Sequence, residues 1–282
     1  MKIFLTGATG KIGSRFVPYL IKQGHTVRIL VRNAERALLL KELGAEVVLG
    51  DLLDNENLAN TISGVDAVVH LAAQFRGVSE EIAQVSNIDA SIALAKAALQ
   101  AGVTRFVFSS TSLVYSGISR NKPCREDDVL QPVLAYPKTK MVAEEALLKL
   151  HREMGLDLRI VRFAFVYGDH DPHIGEFSPI MSTWNPSQRL SLVHHDDVCQ
   201  SLILAASTSG FDGHIYNVAD DIPITVAELL RLNGLPEQVP PNGGWPSFGP
   251  CDMVLDTTRI KAELNFRSKY PSFHSAMDNG AL

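Results

Sequence analysis

From Lys2 to Phe163 the chain alternates short apolar runs with longer amphipathic stretches, and that rhythm leaves few architectures open. Lys2 to Leu5 is followed by Lys11 to Gln23, Thr26 to Val31 by Ala34 to Leu43, and Val47 to Leu49 by Asn57 to Ser63. The order reads βαβαβα. It continues through Ala67 to Leu71, the long segment Asn87 to Ala101, Arg105 to Ser109, Tyr136 to Met154 and Leu158 to Phe163. Such alternation predicts an α/β fold, a doubly wound parallel sheet with helices on both faces. Gly24, Gly44, Gly102 and Gly155 each follow an amphipathic stretch, where a residue that tolerates positive φ ends a helix at little cost.

A chain of 282 residues is long enough for one such domain and a small second lobe. After Tyr167 the period loosens over residues 168–190, and a second irregular stretch occupies 234–250. Between them His195 to Ser207 reads as a further helix and Gly213 to Val218 as a further strand. The expected organisation is therefore interleaved: a first domain over 1–168 with 193–219 returning to it, and a C-terminal substrate lobe over 169–192 and 220–282. With 46% hydrophobic and 20% charged residues the chain can bury a sizeable core. A net charge of −5 and the absence of a Lys/Arg stripe exclude nucleic acid as an expected partner. Cys124, Cys199 and Cys251 are too few and too scattered for a disulfide framework or a CxxC metal site, and the N-terminal apolar run is too short for a signal or membrane span. A reducing, cytoplasmic location is expected.

The segment Thr6-Gly7-Ala8-Thr9-Gly10-Lys11-Ile12-Gly13 falls between the first predicted strand and the first predicted helix. In that context glycines allow a tight turn, close approach of backbone to a pyrophosphate and close helix–sheet packing, while the helix N-terminus offers N–H groups and positive dipole. The turn thus predicts a Rossmann-type dinucleotide site. About twenty residues on, where a carboxylate would hold ribose hydroxyls, stands Val31-Arg32-Asn33. A cation there suits a 2′-phosphate, so Arg32 favours NADP over NAD, with Arg36 and, more weakly, Lys11 as helpers.

Of the six tyrosines only Tyr136 has a lysine four positions later, Lys140, which places both on one helix face. A neighbouring ammonium stabilises a phenolate, so the pairing predicts a tyrosine pKa drawn down from about 10 and a side chain able to exchange protons with a carbonyl or alcohol. Lys138 points elsewhere. A hydroxyl partner is expected at the C-terminal end of the fifth strand, where Ser109-Ser110-Thr111-Ser112 lies.

Taken together, the blocks TGATGKIG (6–13), GDLLD (50–54), HLAA (70–73), FSSTSLVYS (108–116), YPKTK (136–140), RFAFVYG (162–168), VHHDDV (193–198) and YNVADD (216–221) make most of the chain similar to the NAD(P)-dependent epimerase/dehydratase family, the extended short-chain dehydrogenase/reductases. The resemblance implies a site of Thr111, Tyr136 and Lys140, with Ser110 second to Thr111. It implies that Gly7, Thr9, Gly10, Lys11, Ile12 and Gly13 hold the pyrophosphate side of the cofactor, Asp51 and Leu52 the adenine, and Leu71, Ala72 and Ala73 the ribose and pyrophosphate. Phe163, Phe165 and Val166 would meet the nicotinamide, and Tyr136 and Lys140 would also touch the cofactor.

Departures from the family narrow the reaction. Dehydratases of this family carry an Asp-Glu pair after the catalytic Thr, whereas this chain has Ser112 and Leu113, and Phe163 stands where proline is usual. The short stretch 169–192 has little basic character beyond Arg189 for a nucleotide diphosphate. The expected activity is therefore reduction or oxidation of a small carbonyl or alcohol. A nucleotide-sugar epimerase with tightly held NAD and a non-catalytic dinucleotide sensor are the alternatives. His170, Asp171 and His173, and the run His194 to Asp197, read as structural and not as a metal site. Similar proteins pair the helices at 87–101 and 136–154 across a two-fold axis, which would make this chain a homodimer.

Overall fold

A computed structural model describes residues 1–75, 77–236, 239, 240, 242 and 244–282, the side chains of Asn55 and Glu56 aside. Part of the irregular stretch expected at 234–250, namely Glu237, Gln238, Pro241 and Gly243, lies outside the described residues. By internal packing the chain forms two compact units that it visits alternately, one of residues 1–111, 133–162 and 199–216 and one of 112–132, 163–198 and 217–282. Residues 112–132 pack with the second unit, whereas the sequence reading kept them with the first.

The strands follow the expected rhythm. They are β1 (Lys2–Thr6), β2 (Thr26–Val31), β3 (Glu46–Leu49), β4 (Ala67–His70), β5 (Arg105–Thr111), β6 (Asp157–Phe163), β7 (Phe165–Tyr167), β8 (Arg189–Leu190), β9 (Leu192–His194), β10 (His214–Val218) and β11 (Ile224–Thr225). Seven of them form one sheet in the order β10-β6-β5-β4-β1-β2-β3. The β1–β2, β1–β4, β2–β3 and β4–β5 ladders are parallel. The α-helices that frame the strands are α1 (Gly13–Lys22), α2 (Leu38–Glu42), α3 (Asn55–Ile62), α4 (Glu80–Gln84), α5 (Ala90–Gln100), α6 (Ala135–Met154), α7 (His173–Met181) and α8 (His195–Ser207). Gly24, Gly44, Gly102 and Gly155 fall where helix stops were predicted, each with positive φ.

The first unit's core explains the α/β layering. Phe106 and Phe108 of β5, two residues apart and so on one face, meet Leu94 and Ala98 of α5 and Ala143 and Leu147 of α6, all buried. In the second unit Tyr167, Leu190, Leu192, Ile174, Met181, Val226 and Phe273 form a separate cluster.

Two helical features depart from the sequence reading. The helix expected to start at Asn87 begins earlier: α4 runs through a π turn at Val85–Asp89 into α5. The stretch after Tyr167 contains α7 despite Gly175 and Pro179. Proline cannot donate to the carbonyl one turn back, and here the Ser178 hydroxyl donates to Gly175 O instead, at 2.9 Å. No helix among the described residues is long and apolar enough to cross a membrane.

Candidate functional site

β1 and β4 are neighbours, but the chain leaves β1 toward β2 and β4 toward β5, so the loops after them diverge and open a crevice at the strands' carboxyl ends. The glycine turn sits there. Gly7 has φ +73, and a Cβ on it would lie 2.6 Å from the backbone N of Ala72 in the loop after β4. A Cβ on Gly13 would lie 2.6 Å from Ala8 Cα and collide with Gly7 O. These two glycines press the turn against the sheet and α1 against the turn.

Gly10 differs: a Cβ there would meet only Gly7 O, at 3.3 Å, and would otherwise enter the open cradle. Among the described residues no side chain caps α1 and no carboxylate lies in its first turn, which leaves the positive helix end to an anion. The geometry fits a pyrophosphate. Gly10→Val should therefore reduce dinucleotide affinity by about tenfold to a hundredfold, the worth of one or two charge-assisted hydrogen bonds, with less than about 1 kcal/mol lost in urea unfolding. Equal losses in both measurements would show that Gly10 is needed by the fold and not by the ligand.

The remaining predicted cofactor residues fall at several strand ends. Arg32 is exposed directly after β2, and Gly50 N donates to Val31 O at 3.1 Å, which holds the turn of Asp51 and Leu52 beside that strand end. The Asp51 carboxylate accepts from Leu53 N at 3.0 Å, while Leu52 packs against the first unit's core. Leu71, Ala72 and Ala73 follow β4, and the backbone of Leu71 and Ala72 faces Gly7. Phe163, Phe165 and Val166 belong to the second unit, where Phe165 stacks on His173 with ring centres 4.3 Å apart.

Thr111 ends β5, and Tyr136 and Lys140 lie in the first two turns of α6, which packs on β5. Lys140 is buried, its Nζ 3.9 Å from the centre of the Phe108 ring. Desolvation pulls its pKa down to about 7, partly offset by the carboxylate of Glu144 one turn further along. Glu144 is in turn held by Arg162, whose Nη2 is 2.6 Å from Oε2 and whose Nε is 3.1 Å from Oε1, with both side chains buried.

Tyr136 behaves differently from the sequence expectation. Its ring meets Phe75 edge-on at 4.7 Å, and desolvation pushes the phenol up instead of drawing it toward neutrality. Lys140, itself desolvated, does not counter that shift. Tyr136 is thus a protonated phenol, the form that gives a proton to a carbonyl.

The lysine also makes stability depend on pH. Its folded pKa of about 7 lies below the unfolded value, so burial of an ammonium costs stability in full below pH 7, and the cost is relieved as pH rises toward 10. Thermal melts from pH 7 to 9 should therefore show the parent gaining on Lys140→Met. A constant gap between the two melting temperatures would refute the shifted lysine.

Sequence reasoning missed Asn87, which is fully buried in the π turn. Its Oδ1 accepts from Gln74 N at 2.7 Å, and its Nδ2 donates to Gln74 O and to Thr139 Oγ1, both at 2.9 Å. Thr139 Oγ1 donates to Tyr136 O at 2.7 Å. A polar residue among the alternating positions of Asn87 to Ala101 resembles a solvated helix residue, and only its bonds to Gln74 and Thr139 reveal otherwise.

His70, the first residue of the HLAA block, is also fully buried. Ser91 Oγ donates to Asn87 O at 2.7 Å, so it accepts from His70 Nε2 at 2.9 Å, and Nδ1 must then accept from Thr6 Oγ1 at 2.6 Å. Burial lowers His70 to about 3 and keeps it neutral in this chain of bonds. Ser110 Oγ is buried with no hydrogen-bond partner, at the end of the same sheet. Among the described residues no group of three or more His, Cys, Asp or Glu side chains is placed to hold a metal ion. His195 Nε2 instead meets the Asp171 carboxylate at 2.8 Å.

Comparison with known proteins agrees with this geometry. Residues 3–219 match the model of the NAD dependent epimerase/dehydratase family. The 4-hydroxy-2-methyl-3-oxo-4-farnesyl-3,4-dihydroquinoline-1-oxide ketoreductase of Stigmatella aurantiaca is 30% identical over 246 residues, 82% of this chain and 72% of that protein. Photosystem II assembly factor Ycf39 of Synechocystis sp. is 36% identical over 240 residues, 82% of this chain and 66% of its own. The crystal structure of DesIV, a dTDP-glucose 4,6-dehydratase of Streptomyces venezuelae with NAD and TYD bound, superposes with a TM-score of 0.80 at 25% identity, covering 99% of this chain and 95% of that one. A crevice built by the glycine turn, a buried lysine one turn after a tyrosine, and a family match over most of the chain lead to one assignment: this chain belongs to the NAD-dependent epimerase/dehydratase family of extended short-chain dehydrogenase/reductases.

Proposed function

We propose that the chain is an NADPH-linked reductase or dehydrogenase of a carbonyl or alcohol substrate, acting through Thr111, Tyr136 and Lys140. One observation carries the reading: the open cradle at Gly10 and the protonated Tyr136 belong to the same compact unit, at strand ends where open α/β sheets bind ligands. Gly7 to Gly13, Arg32, Asp51, Leu52 and Leu71 to Ala73 would hold the dinucleotide. When bound, that cofactor supplies or accepts the hydride.

The protein's share is proton chemistry and orientation. The Thr111 hydroxyl orients the substrate oxygen, and Tyr136 Oη donates its proton to that oxygen as it gains charge. Lys140, which has little hold on the resting phenol, would be drawn to its ammonium form by the phenolate once that charge appears and would then stabilise it, besides binding a ribose hydroxyl. The Stigmatella relative is named as a ketoreductase, which agrees in reaction type. Ser112 and Leu113 stand where a dehydratase of this family has its acid–base pair.

Arg32 decides the cofactor in this proposal. Fluorescence titration should give tighter binding of NADPH than of NADH by about tenfold, the worth of one charge-assisted contact, and Arg32→Glu should erase or reverse the difference. Equal affinities in the parent would refute the preference. NAD(H) retained through purification would favour the epimerase alternative, and cofactor binding with no turnover of any carbonyl would favour a sensor or assembly role like that named for the Synechocystis relative.

A further inference from the structure

Ser110 and Lys140 are both buried in the first unit, and each lacks a hydrogen-bond partner among the described residues. Ser110 is 4% exposed, and its Oγ makes no hydrogen bond. Lys140 is 1% exposed, and its Nζ rests over the Phe108 ring at 3.9 Å with no oxygen acceptor. A buried hydroxyl without a partner is a standing cost to the fold, which a partner present in only one charge state can offset.

The topology brings the two together. Side chains alternate along β5, so Ser110 shares the face of Phe106 and Phe108, the face that packs on α6. It lies two residues past the ring that carries Lys140, about 6.6 Å along the strand. α6 runs the opposite way, since its far end leads to Asp157, whose N donates to Thr104 O at 3.0 Å beside the start of β5. Tyr136, one turn before Lys140, therefore lies toward the Ser110 end of the strand. An ammonium carries three N–H donors on a flexible four-carbon stem. In the proposed function a phenolate and a ribose hydroxyl take two of them, and Ser110 Oγ is an acceptor on the same face for the third.

We infer that Ser110 is a positioning residue for Lys140: its hydroxyl oxygen accepts a hydrogen bond from the lysine whenever that side chain carries its proton. The inference rests on the proposed function only for the part Lys140 plays in turnover. The ionisable groups around the lysine are Tyr136 and Glu144 on its own helix, Arg162 of β6 paired with Glu144, and His70 of β4. His70 is held near 3 and Tyr136 is pushed up, so neither changes charge between pH 5.5 and 9.5.

The test reads the lysine directly. The full chain, with lysine labelled by carbon-13 at Cε, is titrated by NMR from pH 5.5 to 9.5 without cofactor, and the Lys140 signal is the one missing in Lys140→Met. The parent midpoint should lie at about 7. Ser110→Ala should lower it by about one pH unit, the worth of a hydrogen bond to a charged group. Melting temperatures should follow. At pH 9, where the lysine is neutral, Ser110→Ala should melt at or above the parent, because it removes a buried hydroxyl that has no partner. At pH 5.5 it should melt below the parent, because a lysine with the lower folded pKa costs more to bury charged. Ser109→Ala is the control: Ser109 Oγ already donates to His70 O at 2.9 Å, so this variant should melt lower at both pH values and keep the parent midpoint. An unmoved or raised Lys140 midpoint in Ser110→Ala, or an equal shift in Ser109→Ala, would overturn the inference. Turnover is read separately, and Ser110→Ala should lower kcat about tenfold with KM for the ketone unchanged. A parent without turnover would sink the proposed function and leave the titration standing, whereas full parental turnover with an unmoved midpoint would do the reverse.

Discussion

Replacing Tyr136 by Phe should lower turnover by about 10²- to 10⁴-fold, the usual contribution of a positioned general acid, and leave NADPH affinity intact. The substitution removes one oxygen and retains the ring that meets Phe75 edge-on, so packing at the start of α6 is preserved. Steady-state ketone reduction with a parallel NADPH titration checks it. Turnover within a few fold of the parent would reject Tyr136 as the proton donor. The same experiment with Thr111→Ala should give a smaller loss, because an orienting hydroxyl transfers no proton in this scheme.

Glu144→Ala should cost about 3–5 kcal/mol of stability, because it leaves the buried Arg162 guanidinium without the carboxylate that pairs with it. Urea unfolding measures the loss. The double substitution Glu144→Met with Arg162→Met should recover most of it, since apolar groups of similar size replace a buried ion pair at little cost and often with gain. If the double variant is as unstable as the single one, a deleted charge is not the cause. Any folded Glu144→Ala protein should also show Lys140 titrating below 7, since the Glu144 carboxylate is what raises it against burial.

Much of the architecture was legible because each strand is a short apolar run and each helix a longer amphipathic one, with a glycine at the stop. Gly155 illustrates it: it ends α6 in the left-handed region and donates to His151 O at 3.1 Å. The common helix of Tyr136 and Lys140 was legible from a spacing of four. The protonation of that pair was not. It depends on Phe75, sixty-one positions upstream, and on burial of the lysine against Phe108 of β5. Asn87 was hidden for a related reason, since its partners Gln74 and Thr139 come from a loop and a helix that sequence periodicity does not bring together. The helix α7 escaped notice because Gly175 and Pro179 are breakers by local propensity, and the compensating hydroxyl of Ser178 has no periodic signature.

A single amide at position 87 grips the strand-to-helix loop at Gln74 on one side and, through Thr139, the first turn of α6 on the other. One amide thus ties the residue before Phe75 to the backbone of Tyr136, so a substitution at position 87 would be felt at once by both partners of that edge-on ring pair.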